Sequence, residues 1–129
     1  ALSGCTKEDI KSHVQIQYGH MLNTPLEEFR RKASKDIRCN VSAPQALTCF
    51  MLSDNFESAV RNGVYIDGDT DTTASIAGAL AEAYYGVASI PPYMIAAAKQ
   101  RLTLEMIQLV NDFYQKRASM DPNYQPFSI

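Results

Sequence analysis

The chain has 129 residues, 46% of them apolar, which is enough for a single modest hydrophobic core. Its 12 basic and 14 acidic residues leave a net charge of −2, which excludes a surface built to bind nucleic-acid phosphates. No apolar run approaches the roughly 18 residues of a membrane span. The N-terminus lacks the basic and then apolar regions of a signal peptide, so a cytoplasmic protein without a membrane partner is expected.

Cys5, Cys39 and Cys49 are odd in number and show no CxxC spacing. That argues against paired disulfides and a zinc site, and leaves three small buried thiols as the expectation. The start, Ala1-Leu2-Ser3-Gly4, reads as the tail of a helix closed by glycine. A fragment, a processed product or the product of a split gene is therefore expected.

In chain order, Thr6 caps a helix whose stripe is Ile10, Val14, Tyr18 and Met21, and Asn23 is expected to end it. Thr24-Pro25 opens a second helix, with Pro at its first helical position. Residues 31–40 are polar and irregular and read as a surface loop, with Glu27-Glu28 and Arg30-Arg31-Lys32 as a solvated charged face. Pro44 opens a helix bearing Ala46, Leu47, Phe50 and Met51. Asp54 caps the next, whose stripe is Phe56, Ala59, Val60 and Val64.

Residues 73–85 are small on nearly all sides, with Gly78 in the middle, which predicts a helix at the centre of a bundle. Gly86 ends it, Pro91-Pro92 restarts the chain, and a last helix over 103–117 presents Met106, Leu109, Val110 and Phe113 on one face. Nothing alternates with period two for long enough to make a strand. The expected class is all-α, with one helical domain over residues 1–118 and a mobile tail over 119–129.

The chemistry concentrates in Asp67-Gly68-Asp69-Thr70-Asp71-Thr72, just before a helix. Three carboxylates and several further oxygens within six residues suit a hard cation such as Mg²⁺, Mn²⁺ or Ca²⁺. Helix capping explains one or two of these residues but not all of them. Three aspartates this close repel one another unless a cation or a proton intervenes. An EF-hand loop counted from Asp67 fails at its two diagnostic positions, where Thr72 and Gly78 stand in place of Gly and Glu.

Gly68-Asp69-Thr70-Asp71-Thr72, with Ile76-Ala77-Gly78-Ala79-Leu80-Ala81, Tyr84-Tyr85-Gly86 and Ile90-Pro91, resembles the C-terminal signature of the ADP-ribosylglycohydrolase family. The likeness extends upstream through residues 39–50 and 56–62 and, more weakly, to Lys7-Glu8-Asp9-Ile10. The resemblance implies an all-α orthogonal bundle holding two metal ions, Mg²⁺ or Mn²⁺. It further implies that Asp69 and Asp71 bind metal through carboxylates and Thr72 through its hydroxyl, with Asp71 the better bridge. The implied reaction is hydrolysis of the glycosidic bond at the ribose of an ADP-ribosyl group, on a modified protein or a small ADP-ribose compound.

Two departures qualify the likeness. Asp67 stands where the family has a second glycine, either as an outer-shell ligand or as a sign of altered activity. The family's Thr-Asp-Asp motif is nowhere in this sequence, so half of the ligand set must come from elsewhere. Two readings follow. The chain is either an enzyme half, inactive by itself and completed by an N-terminal half, or a non-catalytic module binding metal or ADP-ribose. In both, the uncovered small-residue helix predicts association with that half or with a second copy.

Asn40 and Ser42 fall where the family lines its ADP-ribose pocket, and they compete there with ordinary capping of the helix begun by Pro44. His13 and His20 have no partner at ligand spacing and read as solvent-facing or structural. Tyr84 and Tyr85 read as packing and hydrogen-bonding residues.

Overall fold

The computed structural model describes residues 4–19, 22–32, 37–121, 124 and 127–129. These residues form seven α-helices, one short 3₁₀ turn and no strand, so the protein is all-α. The helices are α1 (Lys7–Tyr18), α2 (Leu26–Arg31), α3 (Cys39–Met51), α4 (Phe56–Tyr65), α5 (Thr70–Tyr85), α6 (Pro92–Lys99) and α7 (Leu104–Met120), with the 3₁₀ turn at Val87–Ser89. The chain divides into two compact units, Ala1–Ser89 and Ile90–Ile129. No described helix is long and apolar enough to cross a membrane.

Within the first unit α5 packs against α3 and α4, α3 against α4, and α2 against α4. The core has two parts. Ala46, Cys49, Ile66 and Ala77 meet Leu26, Phe29 and Ile76, while Phe50, Ala59 and Ala81 meet Ile10, Met51, Phe56, Leu80, Tyr84 and Tyr85. The alanines and Gly78 of α5 let neighbouring helices come close, as the small-residue pattern predicts. Ser75 and Ala79 face outward, so α5 is buried on one face rather than all round.

Several boundaries differ from the sequence reading. Thr6 caps α1, forming a capping box with Asp9, but the helix stops at Gly19 in the left-handed region rather than at Asn23. The Thr6 hydroxyl, and after it the Thr6 amide, hold the Asp9 carboxyl below its usual range. Pro25 precedes α2 as its cap residue instead of beginning it. Helix α3 begins at Cys39, so Pro44 sits inside it near the N-terminus, where only the bond to the Asn40 carbonyl is lost. Asn55, not Asp54, caps α4, in a reciprocal box with Ser58. Val64 of the expected α4 stripe is 56% exposed, and Gly63 is buried in its stead.

Of the cysteines only Cys49 is buried; Cys5 and Cys39 are exposed. Burial pushes the Cys49 thiol up to about 12. His13 is exposed, while His20, Met21 and Ala1-Leu2-Ser3 lie outside the described residues. The charged face around α2 contains a Glu28–Lys32 pair at 2.5 Å, and Arg30 lies over the Tyr65 ring at 4.6 Å.

In the second unit Thr103 caps α7, which continues to Met120, three residues beyond the expected end. The expected stripe of α7 is turned outward in part, since Leu109 and Phe113 are exposed and the buried residue is Tyr114. Tyr114 is stacked on Tyr124 and meets Phe127 edge-on at 5.0 Å. The Ile129 amide donates to Asn111 Oδ1 at 2.9 Å, tying this described end of the chain to α7.

Candidate functional site

The acidic turn is held by a close crossing of α4 and α5. A Cβ on Gly63 of α4 would lie 2.6 Å from the Ala74 Cα of α5, so only glycine allows the two backbones to meet there. Thr73, fully buried, shares its hydroxyl proton between the carbonyls of Gly63 and Asp69, each at 2.9 Å. One side chain thus ties α4 to the turn that precedes α5. Ile66, 1% exposed, anchors the other end of the turn in the core.

Between these anchors the chain reverses through two consecutive left-handed residues, Asp67 at φ 64° and Gly68 at φ 83°. Aspartate is among the few side chains that adopt this conformation, and its Oδ1 accepts the Gly68 amide at 2.8 Å. Where the resemblance expects a glycine, this chain thus has an aspartate in a left-handed conformation that glycine adopts freely. Asp69 then caps α5 by position, but its side chain makes no capping hydrogen bond.

Helix α5 begins three residues earlier than the sequence suggests. Asp71 and Thr72 therefore lie in its first turn rather than in a loop before it. Interaction with the neighbouring Asp69 carboxyl holds the Asp71 carboxyl below its usual range, helped by the Thr72 amide and its own. Asp67 and Asp71 are exposed, while Asp69 and Thr72 are half-buried. Among the described residues no three His, Cys, Asp or Glu side chains converge as a metal-sized group. The local donor set is two carboxylates with the hydroxyl of Thr72 beside them in sequence.

Asn40 and Ser42 occupy the first turn of α3. Asn40 is exposed; Ser42 is buried and turns its hydroxyl back to the Arg38 carbonyl at 3.3 Å. Neither caps the helix: its cap residue is Arg38, with no side-chain cap bond. Sequence reasoning missed Gly63 and Thr73. A glycine in an α4 stripe signals a close approach, but nothing local says that Ala74 is what approaches.

A chain with this all-α architecture and this Gly-Asp-Thr-Asp-Thr turn belongs to the ADP-ribosylglycohydrolase family, whose sequence model matches residues 9–123. Among curated proteins it is similar to ADP-ribosylhydrolase ARH3 of Bos taurus, 37% identical over 76 residues that cover 50% of this chain and 21% of that protein. The Mus musculus and Homo sapiens proteins of the same name are each 36% identical over 76 residues, covering 50% of this chain and 20% and 21% of theirs. The chain thus matches about a fifth of the length of these relatives. No solved structure matches it.

Proposed function

We propose that this chain supplies the metal-holding C-terminal part of a site that hydrolyses the glycosidic bond of ADP-ribosyl groups. The observation that carries the reading is that Asp69, Asp71 and Thr72 stand together at the start of α5, in a chain of this family. Two carboxylates within hydrogen-bonding reach repel when both are ionised, and a divalent cation relieves that repulsion as a shared proton does. An all-oxygen donor set of two carboxylates and a hydroxyl fits Mg²⁺ or Mn²⁺.

Asp69 and Asp71 hold the metal through carboxylates and Thr72 through its hydroxyl. Asp69 suits this role because its carboxylate is not used to cap the helix. Asp67 stays outside this set, since its Oδ1 is engaged by the adjacent amide. When bound, the metal pair supplies positive charge that acidifies a water and stabilises charge developing at the ribose. Thr73 ties the backbone of Asp69 to α4, and Ile66 anchors the turn in the core. Asn40, exposed at the start of α3, is better placed to meet a substrate than Ser42, whose hydroxyl is turned inward.

The remaining ligands come from a complementary N-terminal half bearing the Thr-Asp-Asp motif, and this polypeptide alone is inactive. The substrate is an ADP-ribosylated protein or a small ADP-ribose compound, in keeping with the names of the relatives. A non-catalytic metal or ADP-ribose binder is the second reading. The exposed side chains of α7, Leu104, Met106, Leu109 and Phe113, support association with the missing half or with a second copy.

Calorimetric titration with MnCl₂ tests the metal assignment. The parent chain binds weakly, because part of the ligand set is absent, and Asp71→Asn removes the binding while keeping the side-chain shape. An Asn variant that titrates as the parent does overturns the assignment.

A further inference from the structure

The C-terminal end of α3 is satisfied partly by local donors, Leu52 N–H to the Thr48 carbonyl and the Ser53 amide and hydroxyl to the Phe50 carbonyl, and partly by side chains from other helices. Asn62 of α4 donates to the Cys49 carbonyl at 3.0 Å, and the Tyr85 hydroxyl of α5 donates to the Ser53 carbonyl at 2.8 Å. The most unusual donor comes from the first turn of α1. The Lys7 ammonium donates to the carbonyls of Phe50 at 3.0 Å, Met51 at 3.2 Å and Ser53. An ammonium has three N–H donors, and here three carbonyls take them.

Three aromatic rings surround the same nitrogen. The centroids of Phe50, Tyr85 and Tyr84 lie 4.9, 5.3 and 5.9 Å from Lys7 Nζ. The rings stand edge to face with one another, at interplanar angles of 64–89°, so they form walls rather than a stack. Phe50 is 1% exposed and Ser53 3%, so the floor is dry. Among the described residues the hydrogen-bond acceptors of the Lys7 ammonium are all backbone carbonyls. The charge is held by carbonyl dipoles at the negative end of a helix and by ring faces, the chemistry of an ammonium receptor. Three convergent carbonyls suit a compact ammonium and not a planar guanidinium.

Ile10 packs on the core one turn after Lys7 and Val14 is buried, but Ile16 is 79% exposed and Tyr18 68%. We propose that the end of α3, walled by Phe50, Tyr84 and Tyr85, is a binding site for a primary alkylammonium group. Lys7 is its tethered ligand, and this contact latches α1 to α3 and α5. The inference is independent of the metal reading, because none of these residues belongs to the acidic turn.

The test is hydrogen exchange of the full chain, read at the amides of residues 11–18. Lys7→Ala removes three methylenes and the ammonium, and n-propylammonium has those same atoms. The variant should exchange these amides at least tenfold faster than the parent, and n-propylammonium should restore protection saturably. Equal concentrations of sodium chloride or of n-propanol, the neutral molecule of the same length, should not. Lys7→Arg should remain fast.

Unchanged exchange in Lys7→Ala overturns the proposal, as does rescue by n-propanol equal to that by n-propylammonium. If Lys7→Ala is unfolded throughout, recovery of helical circular dichroism with n-propylammonium alone supports the site, and no recovery overturns it.

Discussion

In the unit Ala1–Ser89, the side chains of Ala46, Cys49, Phe50, Ala59, Ile66, Ala77 and Ala81 are at most 1% exposed. In Ile90–Ile129, Tyr114 is the only described residue to reach the buried class, at 7%. Both units carry apolar helical stripes, and they differ in how those stripes are made. The first uses glycine and alanine where helices cross, so backbones meet and larger residues such as Phe50 and Ile66 fill the space beside the crossing. The second uses Leu104, Leu109 and Phe113, large side chains that need a partner surface and are 82%, 70% and 59% exposed. Small residues bring their own neighbours close; large ones only require that some neighbour exist.

Three substitutions sharpen this contrast. Gly63→Ala should be the most damaging, because its Cβ would meet backbone that cannot step aside. A loss of about 3 kcal/mol is expected from overpacking of this kind, read as a lower midpoint in urea. A change below about 0.5 kcal/mol, the usual effect of a surface substitution, would mean that α4 and α5 are less tightly crossed than described.

Asp67 comes next. At φ 64° an alanine lacks both the tolerance and the Oδ1 contact of aspartate. Asp67→Ala should lower stability by about 1 kcal/mol relative to Asp67→Gly, the lower end of the cost of a left-handed residue. Equal midpoints for the two variants would show that the turn relaxes out of that conformation.

Leu109→Ser should change stability least, by no more than about 0.5 kcal/mol, because the side chain is already 70% exposed. The same variant should abolish any concentration-dependent association seen by light scattering, if α7 presents the surface used. A large loss of stability in dilute monomer would show that α7 is covered within the chain.

Much of the fold is legible in the sequence, and the legible parts are local. Thr6 and Thr103 are caps because a hydroxyl reaches an amide three residues on, which no distant residue alters. The candidate site is legible in composition but not in placement. Asp69, Asp71 and Thr72 stand out as hard oxygen donors before a small-residue helix, yet that helix was expected to start at Thr73 and starts at Thr70. The three extra residues put two of the donors in the first turn, where α5 amides help to hold the Asp71 carboxyl low. The folded pKa being depressed, the stabilisation from this carboxylate is present above the ordinary aspartate range and lost as the pH falls through the lowered value.

The sequence by itself determined the all-α class, the caps Thr6 and Gly86, the chain reversal at Asp67-Gly68 and the family. All of these follow from interactions between residues only a few positions apart, or from a motif read as a string. The tertiary structure alone decided that Gly63 rather than Val64 faces the core, that Cys5 and Cys39 are exposed, and that Lys7 is enclosed at the end of α3. The physical reason is common to all three. A helical period says which residues share a face, but burial depends on which surface meets that face, and the meeting partners are 11 residues away for Gly63 and Ala74 and 43 for Lys7 and Phe50.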